Sequence, residues 1–131
     1  MRYLSITRGS EEHNPNQETA GAVHPPAALM EAMEQLIEKY VKKGVLIDTG
    51  GLAPSQHGFR MRLAQGQLTT TDGPFTETKE VIGGWAIIEA NSKAEALQLT
   101  TEFLDLHRKY WPESRSEFET EVRLIAYQAK P

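Results

Sequence analysis

The sequence predicts a single α+β domain over residues 1–131, and three observations carry that reading: two amphipathic helical stretches, short alternating strand-like runs flanking each, and a chain too short for two cores. With 39% hydrophobic and 24% charged residues, the composition is that of a chain that folds.

Arg2 to Arg8 alternates, with Tyr3, Ser5 and Thr7 on one face and Leu4 and Ile6 on the other, which reads as a first strand. Residues 9–24 lose all periodicity and form a connection longer than compact domains usually need, either a surface tip or a lid over a site. Pro25-Pro26 suits a helix start, because the first turn needs no amide donors. Leu29, Met33, Leu36, Ile37, Tyr40 and Val41 then mark one buried stripe. Lys42-Lys43-Gly44 reads as the helix end and Val45-Leu46-Ile47 as a second strand, which Gly50 to Pro54 break.

Phe59, Met61 and Leu63 alternate with Arg60 and Arg62 and face a Thr-rich run, Gln67 to Thr71, across Ala64-Gln65-Gly66; this is a hairpin. The nearly continuous apolar run from Gly83 to Glu89 suits a central strand. Ser92 with Glu95 forms a capping box for a helix carrying Ala96, Leu99 or Thr100, Phe103 and His107, and Pro112 stops it. Val122 to Tyr127 supplies the closing strand. The order β-α-β, hairpin, β-α-β follows the ferredoxin-like split βαβ plan: an antiparallel sheet, two helices on one face and an extra hairpin. Two helices cover only one face, so the apolar residues on the other predict a homodimer packed sheet to sheet.

Several function classes are disfavoured. A formal net charge of −4 with scattered basic residues offers no stripe for a phosphate backbone, which argues against direct nucleic-acid binding. Without cysteine there is no disulfide framework, thiolate metal site or Cys nucleophile. No apolar run has membrane-spanning length, and a soluble, cytoplasmic protein is expected. Gly-x-Gly-x-x-Gly and Gly-Lys-Ser/Thr patterns are absent, as are His-x-x-x-His pairs and acidic calcium loops, so no cofactor or metal is expected.

The densest signal is Thr71-Asp72-Gly73-Pro74-Phe75-Thr76-Glu77-Thr78-Lys79-Glu80. Asp72 suits an Asx turn, accepting from amides one or two residues on, and Gly73 and Pro74 suit a tight bend. The same carboxylate suits general acid or base chemistry beside a small-molecule pocket walled by Phe75 and Trp85, with Glu77 and Lys79 adjacent. His24 before the first helix and His57 before the hairpin can reach such a pocket from loops, whereas His107 reads as a packed or capping residue.

This run, with Gly83-Gly84 after it, resembles the signature of the DGPF branch of the YCII-related proteins. Gly44-Val45-Leu46, Gly51-Leu52-Ala53-Pro54 and Glu121-Val122-Arg123 extend the resemblance over most of the chain. It implies a dimeric α+β barrel with a pocket between each sheet and its helices or loops, and an association with extracytoplasmic-function sigma factors; no agreed reaction comes with it. In the wider group a His on the first helix and a nearby Asp are implied as a catalytic pair. Here the helix from Ala27 to Lys43 has no His, and Met33 stands in that place. Two functions follow as expectations: a small-molecule enzyme using Asp72, or a non-catalytic module that binds a metabolite or a sigma factor and uses the Asp72 loop to stabilise its fold.

Overall fold

The structure is a computed structural model and describes residues 1–11, 24–75, 80–112 and 118–131. Its elements run β1 (Arg2–Gly9), α1 (Ala27–Lys42), β2 (Leu46–Gly51), a 3₁₀ turn (Ser55–His57), β3 (Phe59–Ala64), β4 (Gln67–Asp72), β5 (Val81–Glu89), α2 (Lys93–Tyr110) and β6 (Phe118–Leu124). Four strands form one sheet in the order β2-β5-β1-β6 with every neighbouring pair antiparallel, while β3 and β4 form a separate hairpin. Each helix therefore connects two strands that flank a third, which is the ferredoxin-like arrangement.

The helix ends follow from local chemistry. Ser92 accepts from the Glu95 amide at 3.2 Å, and the Glu95 carboxylate accepts from the Asn91 amide at 3.2 Å, so the cap of α2 is reciprocal. At the end of α1, Gly44 adopts φ +73°, its amide donates to Val41, and Val45 donates to Tyr40. That pair of bonds is a Schellman motif, which uses carbonyls the helix leaves unpaired and turns the chain into β2. In the hairpin, Gln65 and Gly66 both have positive φ, as a two-residue turn matched to strand twist requires.

Register decides the faces. Tyr3, Ser5 and Thr7 pair with Ile88, Ala86 and Gly84 on one side and with Leu124, Val122 and Thr120 on the other, so all of these stand on one face. That face carries the core: Tyr3, Ile88, Ala90 and Ala96 are buried together, with Leu46, Leu99 and Val122 packed against them. Leu4 and Ile6 stand on the opposite face with Ile87 and Trp85.

Several strand boundaries differ from the sequence expectation; β5 begins at Val81 rather than Gly83, and β6 ends at Leu124 rather than Tyr127. Gly50 and Gly51 do not break β2 but continue it opposite Trp85 and Gly84. Gly50 belongs there because the Trp85 indole lies across it; a Cβ would stand 2.8 Å from Nε1. The closing strand begins at Phe118 rather than Val122, because Phe118, Thr120 and Val122 alternate with Glu119 and Glu121 and pair with β1 from Gly9 inward. The hairpin is the other unusual feature. Phe59, Met61, Leu63 and Leu68 are 57–70% exposed, so it does not pack its apolar side chains on the main sheet.

Nothing lies within 4 Å of a Cβ built at Gly44, so Gly44→Ala tests backbone conformation alone. It should lower stability by about 1–2 kcal/mol, the cost of a left-handed non-glycine residue, read as a lower urea midpoint with an unchanged slope.

Candidate functional site

On the helix-facing side of the sheet, side-chain size is unevenly distributed. One end presents Tyr3, Ile88 and Leu46, which pack with Ala96 and Leu99 of α2. Toward the other end the helix-facing positions hold Ser5, Thr7, Thr49, Ala86 and Gly84, too small to reach α1 and α2. The result is a cavity of about 450 Å³ between helices and sheet. Leu29, Met33, Leu36 and Tyr40 of α1 and Leu99, Phe103 and His107 of α2 wall it, and Trp111 and Phe118 close one side. Met33 lies in this wall.

The wall's polar groups are mostly committed to the protein. Tyr40 donates to the Leu99 carbonyl at 3.3 Å, Thr49 to that of Trp85 at 2.9 Å and Thr100 to that of Ala96 at 2.9 Å. Thr7 pairs with Thr120 at 3.0 Å. Burial pushes the Tyr40 hydroxyl pKa well up, with Glu102 adding to the effect, so the phenol stays neutral. Arg8 belongs to the wall, but its guanidinium contacts Glu121 at 2.9 Å and Glu119 at 3.7 Å, which stand on the open face.

His107 was not legible as a site residue, because the helical stripe that carries it is equally that of a packed residue. Its Nδ1 lies 3.0 Å from the Phe103 carbonyl, and its ring is tilted between Phe103 and Phe118 at centroid distances of 4.8 and 5.0 Å. A carbonyl only accepts, so Nδ1 carries the proton and Nε2 holds a lone pair. Burial lowers the His107 pKa, against an opposing pull from the Phe103 carbonyl.

Of the candidate site residues that lie among the described residues, Trp85 belongs to the cavity wall and Asp72, Phe75, His57 and His24 do not. The strand of Trp85 forms part of the wall, while its register with Ile6 and Gly50 sets the indole on the opposite face. Asp72 is exposed at the end of β4, opposite Phe59, and lies outside the wall, as do Phe75, His57 and His24. His57 and His24 are exposed, the former with Gln56 Nε2 at 3.4 Å from its Nε2. Glu77 and Lys79 lie outside the described residues.

The Asp72-to-Phe75 bend is instead latched to the 3₁₀ turn. The Gly73 amide donates to the Gly58 carbonyl at 2.9 Å, Pro74 has no amide, and the Phe75 amide donates to Ser55 Oγ at 3.0 Å. The amides an Asx turn at Asp72 would use are thus taken by Gly58 or missing, which corrects that expectation. Ser55 in turn holds the Glu11 carboxylate through its amide and, at 2.7 Å, through its hydroxyl. Gly73 is required by contact: a Cβ there would stand 1.7 Å from the Ser55 carbonyl oxygen. Arg60 lies 3.9 Å over the Phe75 ring, a cation–π contact that joins hairpin to bend.

The fold and cavity together define a small ferredoxin-like domain with an apolar chamber between helices and sheet. The chain belongs to the YCII-related domain family, whose model matches residues 1–103. It is similar to an uncharacterized protein of Rhizobium meliloti (strain 1021), 35% identical over 69 residues that cover 53% of this chain and 56% of the relative. The chain thus spans about half the length of that curated relative.

Ser55→Ala removes the hydroxyl that bridges Glu11 and Phe75 and should destabilise the fold by about 1–3 kcal/mol. Gly73→Ala should cost more, because a backbone carbonyl must move. Denaturant midpoints of the two variants check the order.

Proposed function

We propose that the protein is a homodimeric small-molecule-binding protein whose ligand occupies the cavity between the helices and the sheet. The cavity carries this reading: about 450 Å³ lies within the range of small-ligand sites, and its lining is mainly apolar with a few polar groups. Asp72, expected as an acid or base, stands at the foot of the hairpin away from that lining, so the geometry favours binding over chemistry at Asp72. The Asp72-Gly73-Pro74-Phe75 run supports a place in the DGPF branch of the family.

The dimer rests on the sheet face turned away from the helices. Leu4, Ile6, Trp85 and Ile87 form an apolar centre there, and Arg8 of β1 with Glu119, Glu121 and Arg123 of β6 borders it. An apolar centre with a charged rim is the anatomy of a protein interface. Ile6→Glu should convert a dimer to a monomer in light scattering at micromolar concentration, by placing a carboxylate at that centre. A wild-type chain that runs as a monomer overturns the dimer.

For the ligand site, metabolites captured from a lysate should raise the melting temperature of the wild-type protein, and Met33→Trp, which fills the cavity, should abolish the shift. A shift that survives Met33→Trp but is lost in Asp72→Asn would relocate the site to the Asp72 bend.

A further inference from the structure

We infer that the cavity selects an uncharged, largely apolar molecule bearing one hydrogen-bond donor, such as a hydroxyl, and that His107 Nε2 receives that donor. The inference rests on the cavity being a ligand site and adds the chemical class of the ligand and the residue that orients it.

Charge is the first criterion. Among the described residues, no Asp or Glu lines the cavity, so a cation finds no counter-charge inside. Arg8 is the one arginine among the described lining residues, and its guanidinium is engaged by Glu121 and Glu119, which stand on the open face of the sheet, so an anion finds no free guanidinium inside. Burying an unpaired charge costs far more than burying a neutral group, which leaves neutral molecules.

Hydrogen bonding is the second criterion. Tyr40, Thr49 and Thr100 spend their protons on backbone carbonyls, and Thr7 is engaged with Thr120. Ser5 and Ser10 can donate or accept according to how the hydroxyl turns. His107 differs because its role is preset: the Phe103 carbonyl fixes the proton on Nδ1, and Phe103 and Phe118 hold the ring on both sides. Among the described residues no protein donor meets Nε2. Burial also favours the neutral ring, which keeps that lone pair available. A ligand without a donor would leave this acceptor unsatisfied on expelling water, and one with a donor would satisfy it.

The test compares 2-naphthol with 2-methoxynaphthalene, which share the ring system and differ in the donor. Wild-type protein should bind 2-naphthol about five- to tenfold more tightly, the ratio expected of one hydrogen bond. His107→Leu should reduce that ratio to about one, whatever the absolute affinities become, and His107→Gln, which keeps an acceptor oxygen, should restore part of it. In wild-type protein, whatever the folding of the variants, the ¹⁵N resonance of His107 Nε2 should shift on saturation with 2-naphthol and not with 2-methoxynaphthalene. Equal affinities for the two compounds, a preference that survives in His107→Leu, or an Nε2 resonance that ignores 2-naphthol each overturn the role of His107 while leaving the cavity as a site. Failure of both compounds to bind overturns the cavity reading and this inference with it.

Discussion

The antiparallel ladder between β1 and β5 is the constraint on which the rest of the molecule depends. Side chains alternate along a strand, so the pairing of Tyr3 with Ile88 assigns every residue of the two central strands to the helix side or the open side. A slip of one residue would bring Leu4 and Ile6 beneath the helices and expose Tyr3. The same register stacks Ser5 on Ala86 and Thr7 on Gly84, which puts the shortest side chains of the sheet together under α1 and α2. Core and cavity are two outcomes of one pairing: large residues at one end close the gap, small residues at the other leave it open.

The Asp72 bend and the cavity divide the chain's conspicuous residues between them. The bend is built by exclusion and by backbone bonding, with Gly73 against the Ser55 carbonyl and Phe75 tied to the Ser55 hydroxyl. Its sequence is conspicuous because several unusual residue types must coincide to make that contact. The cavity is built from ordinary hydrophobic residues, and its one preset polar atom belongs to a histidine in a helical stripe. Sequence prominence therefore follows demands on the backbone more closely than it follows the position of the chamber.

This division explains what could be read without coordinates. Helix α1 is announced by its period, Pro25-Pro26 and a terminal glycine, α2 by its period and capping box, and the hairpin by alternation around Gln65-Gly66; these are local signals, and local geometry honours them. Gly50-Gly51 was ambiguous because glycine marks both a turn and a close approach, and only the neighbouring Trp85 ring decides between them. The start of β6 was obscured by Glu119 and Glu121, whose polarity hides an alternation that pairing makes plain. The cavity was legible least of all. It arises from missing volume at Ser5, Thr7, Thr49, Gly84 and Ala86, positions far apart in the chain whose adjacency exists only once the strands are in register.

The separate hairpin has a consequence for how the molecule opens. Its ladder is not shared with the four-stranded sheet, and a two-stranded ribbon is marginal by itself, so its amides can exchange with solvent while β1 and β5 stay closed. Protection should persist nearest its base, where Gly73 bonds Gly58, and fade toward Gln65. The domain thus contains two units of unequal cooperativity, joined at Ser55.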